Sequence, residues 1–483
     1  MPASVIAERV FTQSDQEQFA AFSGDWNPMH MDKVAARRTQ PGAPVVHGVH
    51  LTLWALETLI RDGILGKPVQ GIEATFVKFV YLDTPTTLVL GARDEDRLEL
   101  TVVAAGVTTT SLTIKFDIGT NTALPGDYPE ATTNGRAPNA PDLTAMASQV
   151  GWMPPMPGPS GDPTALFPHA ARAIGGERVT AVALSSRLVG MLYPGLHSVF
   201  GSLSVAFGPG DPRPGIGFRV ATANARTRML KMDLVGSGVT GTVIAFARRE
   251  AVAQAGMDQV AAAVGRDEFA GVTALITGGS RGLGALTAKF IAAGGGDAIV
   301  TYALGREDAE QLAAEINAHT GRQSCTLLRY DMMASAAEQL GSLSATPTHL
   351  YHFASPRIYR QKTALFDAAL FAEFTQAYLT SFQDLCAVAQ ARATERVVAF
   401  YPSTVFVEPG RPADMTEYAM VKAAGEVLAD EMSKSESFPL VVCRRLPRML
   451  TDQTATLVRV QTEDAFTVML PVVRAVQTAL TQS

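Results

Sequence analysis

The rhythm of apolar and polar positions changes several times along the chain, and the changes divide it. Up to about residue 120 a helical opening gives way to a Pro/Gly loop and then to alternating strands. Strands are predicted over 75–81, 87–92, 97–105 and 109–117, the last three with period-2 alternation in places. Residues 121–163 hold most of a proline-rich stretch, PNAPD followed by GWMPPMPGPSGDP, which reads as a linker or a long covering loop. Residues 164–250 repeat the first layout in architecture rather than in identity. A helical LFPHAARAIGG precedes SSRLVGMLYPGLHSVFGSL, and strands are expected over 204–207, 215–221, 226–235 and 240–248. Residues 251–266 read as a helical connector. From 267 onward, strand–turn–helix units mark a parallel α/β domain.

Local signals place candidate chemistry on these elements. Ser14-Asp15-Gln16-Glu17 reads as a capping box that starts a helix, and Gly24 is placed to end it. Asn27 can cap a second helix with Pro28 in its first position, which fixes His30 in the first turn and leaves Asp25 on the approaching loop. The two polar groups can then converge on one small site; the plainer alternative is a loop acid and a satisfied helix histidine. Farther on, the apolar run 272–276 leads into Thr277-Gly278-Gly279-Ser280-Arg281-Gly282-Leu283-Gly284 and an alanine-rich helix through Ala293. A glycine turn of this kind lets backbone approach a pyrophosphate at a helix N-terminus. Tyr418 and Lys422 stand one helical turn apart on one face. An ammonium at that spacing lowers a tyrosine pKa towards the working range. Ser403 and Thr404 stand at the end of a strand over 397–402.

Composition narrows the class. The 483 residues predict two to four domains, and 47% hydrophobic with 18% charged residues is a globular balance. A net charge of −6 without long basic runs argues against nucleic acid as the main partner. Cys325, Cys386 and Cys443 make no metal-ligand spacing and read as buried free thiols in a reducing compartment. The opening MPASVIAERVFTQSD lacks a secretory pattern, LTQS is not a peroxisomal address, and no stretch reads as a membrane span. A soluble cytoplasmic enzyme is expected, with no metal.

Two resemblances sharpen this. Residues 271–483 resemble the short-chain dehydrogenase/reductase family. The T-G-x-x-x-G-x-G turn is followed in order by Asp331, Tyr351-His352-Phe353-Ala354-Ser355, Ser403 and Thr404, Tyr418-Ala419-Met420-Val421-Lys422, and Leu446-Pro447-Arg448-Met449-Leu450-Thr451. The resemblance implies catalysis by Tyr418, Lys422 and one of Ser403 and Thr404. The family pattern favours Thr404, and an insertion before Tyr418 would shift the role to Ser403. It implies nucleotide binding by Thr277, Gly278, Ser280, Arg281, Gly282, Leu283, Gly284, Arg306, Asp331, Ala354, Pro447 and Thr451. No acid follows the second strand, where NAD would need one, whereas Arg281 and Arg306 could pair a 2′-phosphate, so NADPH is the expected cofactor. Phe353, Ser355 and Tyr378 depart from the family pattern. Tyr378 stands where the family carries an asparagine supporting a relay water, with Gln376 or Thr380 as nearby substitutes.

The run Phe22-Ser23-Gly24-Asp25-Trp26-Asn27-Pro28-Met29-His30, with Ala36, Pro41-Gly42 and His47-Gly48, resembles the (R)-specific enoyl-CoA hydratase/MaoC-like family. Met29 replaces the usual branched residue. The resemblance implies a hot-dog fold. Asp25 and His30 would share the catalytic water, and the Gly48 N–H would polarise a thioester carbonyl. Residues 164–250 look like a second, degenerate hot dog that includes Pro194-Gly195-Leu196-His197. His197 reads as a weak site candidate or a structural residue, and Arg37 and Arg38 as phosphate contacts or solvated side chains.

The expected architecture is therefore an α+β double hot dog fused to an α/β Rossmann-type, doubly wound parallel sheet. Its parts are a hot-dog domain over 1–125, the proline-rich segment 126–163, the second hot dog 164–250 and the reductase 267–483. The expected substrate is an acyl carrier protein or CoA thioester, reduced at its 3-keto group and then dehydrated, as in polyketide or fatty-acid assembly. Reverse flow, or one active module with the other a binding scaffold, is the alternative. A homodimer is left open.

Overall fold

The computed structural model describes residues 4–39, 41–117, 126–131, 135–208, 211, 213–250, 254–341, 343–360, 365–449, 451 and 461–482. The chain divides into two compact units, with the boundary after Glu250.

The first unit is built on one antiparallel sheet of ten strands. They are β1 (Ser4–Val10), β2 (Gly71–Phe76), β3 (Pro85–Arg93), β4 (Arg97–Ala104), β5 (Val107–Lys115), β6 (Val150–Met153), β7 (Ser198–Phe207), β8 (Ile216–Asn224), β9 (Met229–Gly236) and β10 (Val239–Ala247). The spatial order is β1-β3-β4-β5-β2-β7-β10-β9-β8-β6. Each half contributes five strands, and the order of one half mirrors that of the other about the β2–β7 junction, where Ile72 faces Val205. Alternation makes these strands: along β4, Leu98, Leu100 and Val102 are buried and their neighbours are more exposed. Helices Gly48–Arg61 and Gly176–Arg187 pack against each other, and Val49, Leu53, Leu56, Val179, Val182 and Leu184 join Leu100 and Val205 in one core.

Several local expectations shift. The chain opens with β1, not with a helix, because residues 4–10 pair with β3. The capping box lies two residues earlier than Ser14. Thr12 accepts from the Asp15 N–H, the Asp15 carboxylate takes the Thr12 N–H, and Gln13–Ser23 is the helix. The strand expected over 75–81 is β2, ending at Phe76. There the Val77 and Lys78 N–H groups both turn to the Thr109 carbonyl and break the ladder. The proline-rich segment contains β6, whose buried Trp152 and Met153 attach it to β8, so that part belongs to the second half's sheet. Helix Gly176–Arg187 was hidden in the sequence because Val179–Ser186 is buried continuously, which erases the apolar stripe.

The second unit has six parallel strands: β11 (Thr273–Thr277), β12 (Asp297–Tyr302), β13 (Cys325–Arg329), β14 (His349–His352), β15 (Val398–Thr404) and β16 (Leu440–Leu446). Their order, β13-β12-β11-β14-β15-β16, reverses direction between β11 and β14. In open α/β sheets the ligand crevice forms at that switch point, beyond the carboxyl ends of the strands. Among the described residues of the expected helical connector, Met257–Ala261 is the α-helical part. Cys325 and Cys386 are buried free thiols, whereas Cys443 is half-buried. Among the described residues no helix is long and apolar enough to cross a membrane.

Candidate active sites

In the first unit, Gly24 ends helix Gln13–Ser23 in the left-handed conformation (φ 80°), and the chain turns inward at Asp25. Asn27 caps the short helix Pro28–Met31 as expected, accepting from the Met29 N–H. Its carboxamide donates to the carbonyls of Gly190 (2.8 Å) and Gly195 (3.1 Å), which ties the loop to the second half. Asp25 is 2% exposed and His30 7%. His30 Nδ1 donates to the Val45 carbonyl at 2.7 Å, so its Nε2 carries the lone pair. Gly48 opens helix Gly48–Arg61, and its N–H therefore lacks an acceptor one turn back. A Cβ at Gly48 would meet the Phe76 ring at 2.8 Å, so only glycine leaves this approach open.

Asp25, His30 and Gly48 line one cavity of about 190 Å³. The rest of its wall is largely apolar, including Met29, Leu51, Phe76, Val189, Phe200 and Phe246. His197 does not line it; its Nε2 lies 3.6 Å from the Glu250 carboxylate. Neither Arg37 nor Arg38 lines it.

Two further residues belong to this site and were not picked out from the sequence. Ser186, in the last turn of helix Gly176–Arg187, donates to Asp25 Oδ2 at 2.6 Å. His47 stacks on His30 with ring centroids 3.8 Å apart. Its Nδ1 faces Gln16 Oε1 at 2.8 Å and its Nε2 faces the Asp25 carbonyl at 3.1 Å. The adjacency of His47 to Gly48 was the only sequence signal for it; Ser186 had none.

Burial dominates the electrostatics. It raises the Asp25 pKa above the usual carboxylate value, against the opposing pull of His30, Ser186 and Asn27. Burial also lowers the His30 pKa, which Asp25 and the Val45 carbonyl partly offset. His47 lies well below its usual value, through burial first and then through His30 and His50. A weakly basic imidazole beside a reluctant carboxylate can exchange protons with a shared water. Donor atoms of Asp25, His30 and His47 fall within 4.8 Å of one another, a spacing that suits a shared water as well as a cation.

In the second unit, Thr277 ends β11 and its hydroxyl lies 3.0 Å from His352 Nδ1. Gly278 has φ +65°, and a Cβ there would meet the Ala354 backbone N at 2.7 Å. A Cβ on Gly284 would lie 2.6 Å from the Gly278 carbonyl. Glycine is thus required at both positions for turn, strand and helix to approach. Gly282 and Leu283 open helix Gly282–Ala293, with Arg281 at its N-cap position and Ser280 buried just before it. Arg306, at the head of helix Arg306–Thr320, pairs with Glu310 at 2.7 Å and leaves its side chain 72% exposed. Asp331 is exposed and accepts from the Met333 N–H. Ala354, Pro447 and Thr451 are half-buried.

Helix Thr416–Ser433 carries Tyr418 and Lys422 against β15. Thr404 is the hydroxyl bonded to Tyr418. Ser403 turns away to Glu426, which also holds Arg445. Of the two hydroxyls, Thr404 is therefore the one that faces Tyr418. Lys422 Nζ donates to the Pro402 carbonyl at 2.8 Å. Burial pushes Tyr418 above its usual range and lowers Lys422 to about 7. Thr380 is exposed, and the Tyr378 ring lies 4.0 Å from Lys422 Nζ.

These two arrangements define a chain of two enzyme modules, an acid–base site on an antiparallel sheet and a nucleotide-type crevice on a parallel one. Residues 2–112 match the MaoC like domain family and residues 272–345 the short chain dehydrogenase family. The chain carries a MaoC-like hydratase/dehydratase domain of the hot-dog kind at its N-terminus and a short-chain dehydrogenase domain at its C-terminus. No curated protein matches the chain. Similar solved structures include a short chain dehydrogenase/reductase family protein, 24% identical over 38% of this chain and 75% of its own, with a TM-score of 0.33. A putative short chain dehydrogenase from Escherichia coli CFT073 is 19% identical over 44% of this chain and 92% of its own, TM-score 0.36. A short chain dehydrogenase from Burkholderia cenocepacia J2315 in complex with NADP is 21% identical over 43% and 91%, TM-score 0.38.

Proposed function

We propose that the chain acts twice on a β-oxygenated acyl thioester carried by CoA or an acyl carrier protein. It reduces a 3-ketoacyl group to the 3-hydroxyacyl and dehydrates that to the trans-2-enoyl product, in polyketide or fatty-acid biosynthesis. The observation that carries this reading is the single cavity holding Asp25, His30 and the head of helix Gly48–Arg61. A thioester carbonyl directed at the Gly48 N–H puts C2 and C3 beside the Asp25/His30 pair. That pair removes the C2 proton and delivers a proton to the departing C3 hydroxyl. The titrations of the two groups are coupled, so the roles belong to the pair. An oxyanion donor of this kind is worth about 3 kcal/mol.

The mirrored ten-strand order supports reading the first unit as a double hot dog, with the second half lacking its own Asp…His pair and completing the first half's site through Ser186 and Gly190.

The backbone cradle at Gly278 and Gly284 suits a dinucleotide, and NADPH is favoured because no acid follows β12 at Ala303-Leu304-Gly305. The nicotinamide, when bound, supplies the hydride. Thr404 holds the ketone oxygen, Tyr418 gives it a proton, and Lys422 favours the tyrosinate left behind. Arg281, at the head of helix Gly282–Ala293, and Arg306, four residues after β12, are the side chains that would pair a 2′-phosphate, Arg306 by leaving Glu310.

The test is a 3-ketoacyl thioester with NADPH, products resolved by mass. Tyr418→Phe is expected to abolish NADPH oxidation. His30→Asn is expected to stop the sequence at the 3-hydroxyacyl thioester. Unchanged NADPH oxidation in the first variant, or unchanged dehydration in the second, overturns the corresponding assignment.

A further inference from the structure

Lys422 is 3% exposed, and no carboxylate partners it among the described residues. Ring faces surround it instead: its Nζ lies 4.0 Å from the Tyr378 centroid, 4.8 Å from Tyr401 and 5.8 Å from Tyr418. The Tyr378 hydroxyl lies 2.5 Å from Ser355 Oγ. Ser355 gives its own proton to the Pro356 carbonyl at 2.9 Å, so Tyr378 donates to Ser355. The hydroxyl is thus spent away from the lysine, and carbon faces the ammonium. The Tyr401 ring has its place for a separate reason. Helix Thr416–Ser433 carries Gly425 at the contact, where a Cβ would lie 2.0 Å from the Tyr401 hydroxyl.

We propose that Tyr378 is a positioning residue for Lys422: the face of its ring holds the buried ammonium charged. A ring quadrupole favours the cation, and the effect grows when water is excluded. It opposes the burial that lowers Lys422 to about 7. The other groups facing Lys422 are few. His352 comes from β14, Tyr401 and the Pro402 carbonyl from β15, Cys443 from β16, and Tyr418 from its own helix. Glu426, one turn on, is spent on Ser403 and Arg445. The placement of Lys422 stands on geometry alone; only its catalytic consequence rests on the reductase reading.

The experiment uses the full chain with ¹³C-labelled lysine, the Lys422 Cε signal being assigned by its loss in Lys422→Met. Its titration midpoint is compared in Tyr378→Phe and Tyr378→Leu, with Tyr378→Met in place of the latter if it unfolds. The expected result is an unchanged midpoint in the Phe variant and a fall of about one pH unit in the Leu or Met variant. An equal midpoint in all of them overturns the proposal. In parallel, the basic limb of kcat/KM for NADPH-dependent reduction should move down by the same amount in the Leu variant and be restored in the Phe variant. An NMR shift in a chain that reduces nothing at any pH upholds the proposal for Tyr378 and defeats the reductase reading instead.

Discussion

The Ser186 hydroxyl lies 2.6 Å from Asp25 Oδ2 although 161 positions separate the two residues in the chain. Both are buried, so this bond is a large part of what solvates the carboxylate. Just beyond Ser186 the helix widens into a π-turn over Leu188–Leu192, and Gly190 presents its bare Cα to the same carboxylate. A Cβ there would stand 2.1 Å from Asp25 Oδ1.

Ser186→Ala should therefore raise the Asp25 pKa further and move the acid limb of enoyl-thioester hydration to higher pH. Losing a bond to a buried charged group implies a roughly 10-fold to 100-fold lower rate at neutral pH. Gly190→Ala should cost at least as much, because it displaces the carboxylate itself. Hydration rates across pH, followed by loss of the enoyl absorbance, check both. A Ser186→Ala profile that overlays the parent's would contradict the role drawn from the geometry.

The two hydroxyls at the end of β15 should separate cleanly. Thr404→Val removes the group bonded to Tyr418 and is expected to lower ketone reduction by about 10²-fold, the scale of one lost oxyanion donor. Ser403→Ala should leave kcat within a few-fold and act on stability instead, through Glu426 and Arg445. Steady-state kinetics beside urea unfolding distinguish them.

Acid should unfold the chain early. His50 is held near 3 and His349 and His352 near 4 by burial, and His30 and His47 are also lowered. Each folded-state pKa lies below the unfolded value near 6.5. Between the two values the unfolded state binds the proton and the folded state does not. The stability these groups allow is complete above about pH 6.5 and is lost as pH falls, by up to ~1.4 kcal/mol per pH unit for each histidine. Urea midpoints between pH 7 and 5 should show the slope, and His50→Phe should reduce it by one histidine's share.

Asp25 has the opposite sign. Its folded pKa is raised above 3.8, so in acid the folded state keeps a proton that the unfolded chain releases. Its favourable contribution is present at low pH and lost as pH rises through the folded value. Asp25→Asn should be more stable than the parent at pH 8, and the gap should narrow towards pH 4, while hydration is abolished. A gap that widens in acid would reverse the assigned shift.

Much of both sites was legible because it is written in contiguous residues. The Asn27 cap and Pro28 place His30 one short turn from Asp25, and Gly24 supplies the left-handed exit before them. The turn from Thr277 to Gly284 is dictated by glycines at a φ or a distance no Cβ tolerates. Tyr418 and Lys422 share a helix face by spacing alone. The errors were local too. Residues 4–10 pair as a strand where the pattern predicts a helical opening, and the capping box lies at Thr12 rather than Ser14, because the two offer equivalent hydroxyls and only the partner of Asp15 separates them.

By itself the sequence determined two modules and the short-range geometry of their Asp25/His30 and Tyr418/Lys422 pairs. Only the tertiary structure decided that Ser186 solvates Asp25, that His47 stacks on His30, that Thr404 rather than Ser403 meets Tyr418, and that Tyr378 covers Lys422. Each of these is a contact between different elements, and Asp25 and Ser186 are 161 positions apart in the chain. Such contacts are set by which strands pair and how far a helix is pushed in, and no local spacing of residue types encodes either.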